Sequence, residues 1–318
     1  ADPKFAAFYQ EKIAPYLTFA EQSRIEHLSE FYSRLMISIP LCLVWLAFIG
    51  FLYWSDSWIM KIESDTLTAV LFSPLFGCGV WCHRKIKSFE LSIKSKIYSE
   101  IFNFFGDFQY EPAGSGLEGV NLREKFGIIP AFSKAKTEDL IIGEYSGVGI
   151  VFEEWILDQR KGDDERNVFK GATLSLGFNK NFSGQTIIKH SKGKIRNFTA
   201  NLVNRGTKDL EKVSLEDWEF AKKFEVFSSD QIEARYLITP ALMNRLLNLT
   251  KFFNAKSFDA GFADNSLFMM FKDSENLFEV RSIFKEIDLV GDSLRVVDQI
   301  KLIFEIIDYL KINQRTGI

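Results

Sequence analysis

The amino-acid sequence predicts an α+β protein: a two-helix transmembrane hairpin with a helical stalk, followed by a cytoplasmic mixed α+β domain. Three observations predict it. Met36–Trp54 is an apolar run of 19 residues without a charge. Leu67–Cys82, equally uncharged, follows after about a dozen more polar residues, and crossing a bilayer core takes roughly 20 apolar helical residues. In the remainder, strand-like segments cluster between helices instead of alternating with them, which favours α+β over a doubly wound parallel sheet. The expected division is a cytoplasmic amphipathic helix over 1–35, the hairpin over 36–82, a cytoplasmic stalk helix over 83–105 and the α+β domain over 106–318.

Thr18-Phe-Ala-Glu21 fits a capping box, and Pro15 is expected to end any helix before it. Ile25, Leu28, Tyr32 and Leu35 then recur at helical spacing and lead into the first crossing. That crossing spans close to 28 Å at about 1.5 Å per residue. It starts too far into the chain, and is too long, for the apolar core of a cleaved signal peptide. Trp54 and Trp58 are expected interface anchors at its far end. On the second run Ala69, Ser73 and Gly77 recur every four residues, a stripe expected to pack closely against the first crossing near Ala47 and Gly50.

Arg34 flanks the first run, and Arg84, Lys85, Lys87, Lys94 and Lys96 follow the second, whereas the intervening loop holds Lys61 beside Asp56, Glu63 and Asp65. The positive-inside bias puts both termini in the cytoplasm, with Arg84, Lys85 and Lys87 as anchors at the inner interface. Ile86, Phe89, Ile93, Ile97, Ile101 and Phe104 continue the helical period. Two apolar stripes leaving one hairpin on the same side are expected to pair as a stalk; the alternative lays them flat, with the lysines on anionic headgroups.

Gly106–Gly119 has loop composition, and Asn121–Phe126 reads as a short helix. Strand signals cover 139–145, 148–157, 168–178, 185–189 and 224–227, and 256–262 with 266–272 makes a hairpin around Ala263-Asp264-Asn265. Gln159–Arg166 reads as a solvated loop. Thr239 caps a helix over 239–249 with Pro240 at its first position. A long amphipathic helix over 292–310 closes the chain.

Composition excludes some function classes. A net charge of −3 gives no basic field for nucleic acid. The three cysteines, Cys42, Cys78 and Cys82, lie in or beside the crossings, so the soluble part has no disulfide framework. His27, His83 and His190 show no metal-ligand spacing, and Asp163-Asp164-Glu165 lacks the alternation of a calcium loop, so no metal or cofactor is expected. Gly114-Ser-Gly116-Leu-Glu-Gly119 matches a dinucleotide-binding string, with Asp139 at ribose distance. No buried strand feeds it, however, and a connector is the better reading. The basic tract Lys189–Arg196 reads as an exposed loop, with contact to the inner leaflet as the alternative.

The stretch from Phe224 to Leu249, FEVFSSDQIEARYLITPALMNRLLNL, resembles the signature of a bacterial family known as domain of unknown function 3137. Phe169-Lys-Gly171 and Phe178–Thr186 are similar to its sheet segment and turn, and the resemblance extends over roughly residues 20 to 310. It implies a bacterial inner-membrane protein and transfers no catalytic residue. Within the signature, Asp230, Glu233, Arg235 and Tyr236 are expected either to anchor a strand–helix junction or to form an interaction surface. The expected function is that of a non-enzymatic interaction or scaffold protein held in the lipid bilayer, binding a protein partner or its own copies. An enzyme of unrecognised type at the cytoplasmic face is the alternative.

Overall fold

The computed structural model describes residues 3–55, 65–115, 126–162, 164–179, 181–191, 210–215, 217–274, 278, 283–286 and 289–315. They divide into two compact units, Ala1–Ile97 with Val280–Asp292, and Tyr98–Glu279 with Ser293–Ile318.

The first unit is helical. Helix α1 (Pro3–Phe8) runs through a π-turn (Tyr9–Ile13) into α2 (Ala14–Trp54), and α3 spans Asp65–Asn103. Pro15 begins α2 instead of separating it from a preceding helix. Proline lacks an N–H and crowds the carbonyl four residues back. The wider turn, in which Ala14 N–H reaches Tyr9 O, absorbs that misfit. The capping box at Thr18 is therefore corrected: Thr18 lies inside α2, and Glu21 binds Arg24 at 2.6–2.9 Å instead of reaching back.

Helices α2 and α3 pair antiparallel through a ladder of side-chain contacts. Trp45 Nε1–H donates to Leu71 O at 2.7 Å, Ser38 Oγ lies 3.5 Å from Cys82 Sγ, and Arg34 donates to Trp81 O at 2.7 Å while stacking over that ring. Further down, Lys85 pairs with Glu30 and holds its carboxyl below the usual range by hydrogen bonding. His27 meets Phe89, and Lys96 sits 3.8 Å over the Phe19 ring. Lys94 is buried and Lys96 is engaged with the Tyr16 and Phe19 rings.

By length and composition, one helix among the described residues is apolar enough to cross a membrane, Phe5–Trp54, and only 6% of its most apolar window is buried within the chain. The apolar surface of α2 therefore needs a cover that the described residues do not supply. Pro40 and Pro74 lie within unbroken helix.

Among the described residues the second unit is built on a nine-stranded, wholly antiparallel sheet in the order β1-β2-β3-β4-β9-β8-β5-β7-β6. Its strands are β1 (Gln109–Glu111), β2 (Lys134–Tyr145), β3 (Val148–Lys161), β4 (Asp164–Gly177), β5 (Thr186–His190), β6 (Glu211–Val213), β7 (Phe224–Ser228), β8 (Ser257–Ala263) and β9 (Ser266–Lys272). Helices α4 (Trp218–Lys223), α5 (Gln231–Leu237), α6 (Pro240–Phe252) and α7 (Leu289–Arg315) complete the chain.

The turn between β2 and β3, Ser146-Gly147, has both residues at positive φ (53° and 77°), the twist-matched geometry of a two-residue hairpin. The solvated loop expected over 159–166 is corrected, because most of it is paired strand. Arg160 stands opposite Glu165 and Lys161 opposite Asp164 in the register of β3 and β4, a paired sheet arm that composition disguises as a loop. The helix expected at 121–126 lies outside the described residues except for Phe126. Strands β1 and β6 and helices α4 and α5 are additional to those expected from the sequence, each too short to carry a periodic signal.

The sheet is buried on both faces at its centre, which accounts for much of the chain's 32 phenylalanines. From β9, Phe268 stacks on Phe126 beside Trp155 and Leu157, while Phe271 turns the other way onto Phe253 and Phe258. Between these strands Gly171 (φ +149°) lets β4 meet β9 closely: a Cβ there would stand 2.0 Å from Phe271 O. Gly171→Ala is expected to destabilise the sheet unit by on the order of 3 kcal/mol. Gly149→Ala, in open space on the neighbouring strand, should be near neutral. Thermal unfolding of the two variants measures the difference.

Candidate functional site

The sheet unit contains an aromatic cavity of about 20 Å³, lined by apolar side chains that include Phe102, Phe108, Ile141, Phe152, Phe278 and Phe304. That volume suits roughly one water, and a buried water needs two to four polar partners. The lining offers none, so the cavity is a dry packing gap and holds no acid, base or nucleophile.

Beside it stands a buried polar pair. Tyr110 stacks on Phe102 (5.7 Å) and meets Tyr98 and Phe278 edge-on and tilted. Its hydroxyl donates to Asp139 Oδ1. Asp139 is fully buried and occupies a bulge in β2 at φ +55°, with its N–H on Pro112 O at 3.2 Å. Burial, then the Asp139 charge, push the Tyr110 phenol well above its ordinary value. The pair fixes the bulge, and with both groups buried no substrate reaches it. A second raised phenol, Tyr145, lies against Phe304 at 3.8 Å and donates to Asp308 at 3.1 Å, with partial burial as the larger cause.

The glycine string does not form a phosphate cradle in its described part. Ser115 N–H and Oγ–H both donate to Glu153 Oε1 (2.6 and 3.1 Å), and Trp155 Nε1–H donates to Oε2 at 2.6 Å. Gly114 packs on the Thr137–Glu138 backbone so closely that a Cβ would meet it at 2.6–2.8 Å. A carboxylate in that place would repel a phosphate. Asp139 is likewise committed to Tyr110 and is no ribose contact. Gly116–Gly119 lie outside the described residues.

Asp230, Glu233, Arg235 and Tyr236 separate into two pairs. Asp230 caps α5, accepting from Ile232 and Glu233 N–H at 2.9 Å. Glu233 clamps the turn before β5, with Ser183 N–H on Oε1 (2.6 Å) and Gly184 N–H on Oε2 (2.7 Å). These two are anchors. Arg235 and Tyr236 face outward beside Ile232, which is 69% exposed.

The packing expected of Ala69, Ser73 and Gly77 against α2 is corrected. All three are exposed, and a Cβ on Gly77 meets nothing within 4 Å, because the ladder uses the Leu71 and Cys82 positions of α3 instead. Trp54, Arg84 and Lys87 are exposed, Lys85 is taken by Glu30, and Trp58 lies outside the described residues. Lys189 of the basic tract pairs with Asp259 at 2.5 Å, and 192–196 lie outside. Among the described residues no three His, Cys, Asp or Glu side chains are placed to hold a metal ion. No local motif marks the Tyr110–Asp139, Ser115–Glu153 or Ser183–Glu233 contacts, since these partners lie 29 to 50 residues apart in sequence.

The strand–cap–helix geometry of 224–249, clamped by Glu233 to the turn before β5, lies within the segment that comparison identifies. Residues 167–312 match the family described as "Protein of unknown function (DUF3137)". This is the family that the 224–249 stretch resembles, and the DUF3137 match covers just under half the chain, leaving the helical unit's α2 and α3 outside it. Among solved structures, the chain is similar to the crystal structure of the mycobacterial trehalose monomycolate transport factor A, TtfA, at 11% identity and a TM-score of 0.34. The alignment covers 66% of this chain and 96% of that one, and likeness at this level transfers neither fold nor activity. No curated protein matches.

The anchors and the outward residues of the DUF3137 signature give different expectations. Glu233→Ala frees two backbone donors and should cost about 1–3 kcal/mol. Arg235→Ala and Tyr236→Ala should stay within about 0.5 kcal/mol of the parent in chemical denaturation. Tyr110 gives a pH signature. Its folded value is raised above the unfolded value of about 10, so its contribution is complete below that pH and is lost as pH climbs toward the folded value. Stability should decline above about pH 10, less steeply in Tyr110→Phe, as read by denaturant midpoints along an alkaline series.

Proposed function

We propose that this protein is a bacterial inner-membrane anchor that crosses the bilayer twice with both termini cytoplasmic, and that its sheet unit docks other proteins or further copies of itself. The observation that carries the reading is the uncovered apolar surface of the helix pair. Met36, Leu43, Val44 and Phe51 on α2 are exposed, and so are Phe72, Phe76 and Val80 on α3. A surface of this kind on both partners of an antiparallel pair suits lipid on every side. Arg34 over Trp81, with Arg84 and Lys87 exposed beside them, supports a cytoplasmic inner boundary. The paired contacts below that boundary, from Lys85–Glu30 to Lys96–Phe19, support a stalk.

For docking, the outward face of α5 is the surface of choice. Ile232, Arg235 and Tyr236 lie at i, i+3 and i+4, and combine an aliphatic, a guanidinium and an aromatic group of the type that dominates interfaces. A substrate pocket would favour an enzyme, and the dry cavity does not supply one.

The test is extraction of the full chain from its membrane in mild detergent, followed by particle mass and identification of co-purifying proteins. A particle well above one 36.6-kDa chain plus detergent is expected, and Ile232→Ser with Tyr236→Ala should dissociate it. A lone chain would overturn the docking reading. Release of the chain by alkaline carbonate without detergent would overturn the anchor.

A further inference from the structure

Within the helical unit, the turn 283–286 lies against α2. Ile283 is fully buried, and its carbonyl accepts from Arg24 Nη1 at 2.9 Å, the same guanidinium that Glu21 grips. Phe284 packs edge-on against Phe31 with ring centroids 5.5 Å apart, yet it stays 51% exposed. Lys285 is exposed next to it, and Glu286 lies within electrostatic reach of Arg24. The exposed ring is thus held in place by a buried neighbour on one side and a bonded carbonyl beneath it.

Its depth along the hairpin gives it meaning. Phe31 precedes Arg34 by three residues, about 4.5 Å of helix. Arg34 stacks over Trp81 at 4.8 Å, and the fully apolar exposed run starts at Met36, 74% exposed. The headgroup layer on each side of a bilayer is roughly 5–8 Å thick. Tyr32, half exposed one residue beyond Phe31, stands at the same level. An aromatic ring facing outward at headgroup depth, with a cation beside it, has the composition of an interfacial insertion.

We propose that the 283–286 turn is a third contact with the membrane, in which Phe284 inserts among the lipids of the inner leaflet and Lys285 meets their phosphates. The proposal rests on the anchor reading above. It adds a contact from a segment more than 200 residues from the crossings in sequence.

The test uses the full chain with Cys42, Cys78 and Cys82 replaced by alanine, reconstituted into mixed phosphatidylcholine and phosphatidylglycerol vesicles. A nitroxide is attached at Lys285→Cys and, in separate samples, at Met36→Cys and at the exposed Lys161→Cys. Collision with oxygen relative to a water-soluble nickel chelate reads depth. The expected ratio at 285 lies between that at 36 (lipid) and that at 161 (water), and adding Phe284→Ser brings 285 down to the aqueous ratio. A label at 285 as aqueous as 161 while 36 stays in lipid overturns the proposal alone, as does a ratio unmoved by Phe284→Ser. An aqueous ratio at 36 overturns the anchor reading and the proposal together.

Discussion

An apolar helix surface that the described residues leave uncovered is the constraint on which the rest of this structure depends. Met36–Trp54 buries almost nothing internally, and water would exact roughly 25 cal/mol for each Å² left uncovered. Along this run α2 meets α3 through polar and sulfur contacts, while buried apolar side chains such as Phe89 and Ile93 lie further down α3. Within apolar surroundings a Trp N–H or Arg N–H must find a partner, and here those partners are the carbonyls of Leu71 and Trp81. Such bonds fix the register of two helices whose apolar faces would slide past one another without preference. Lower in the unit the contacts change character, to an ion pair at Lys85–Glu30 and rings over Lys96, where charged side chains are at hand.

The sheet unit solves a different problem. Among the described residues the nine-stranded antiparallel sheet ends in three-residue strands at both edges, β1 on Leu140–Ile142 of β2 and β6 on Val226–Ser228 of β7. Its interior is aromatic on both faces, and three carboxylates tie distant segments together. Tyr110–Asp139 stabilises the β2 bulge, Glu153 ties down Ser115, and Glu233 clamps the turn at 183–184. Each of these carboxylates accepts from at least one donor far away in sequence, and the buried ones, Asp139 and Glu153, would be costly without donors. They are therefore determinants of conformation, and the strictness of that role is why they are poor candidates for catalysis.

Several elements are legible in the residues alone. Thr239-Pro240 announces a helix start, and Thr239 Oγ1 does cap Leu242 N–H. The strands at 139–157 and the hairpin at 256–272 around Ala263-Asp264-Asn265 are also found; burial alternates along much of Val148–Lys161, whereas the two strands of the second hairpin are buried on both faces. Other signals mislead. Gln159–Arg166 has the composition of a loop but is mostly paired strand, and Thr18-Phe-Ala-Glu21 has the letters of a cap inside a continuing helix. Both failures come from taking a local string without knowing what lies opposite it.

Residues close in sequence thus determined the long apolar helix, the Thr239 cap, most of the strands and the resemblance of 224–249 to DUF3137, since each is set by propensity or spacing within a few residues. Only the tertiary structure decided which members of that signature are structural. Asp230 and Glu233 turn inward to backbone N–H groups, whereas Arg235 and Tyr236, two and three positions beyond Glu233, face solvent. It also decided that Gly114-Ser115 meets a buried carboxylate and that Phe284 is held against Phe31. Those facts depend on partners 38 to more than 200 residues distant, and no local pattern encodes which distant side chain will arrive.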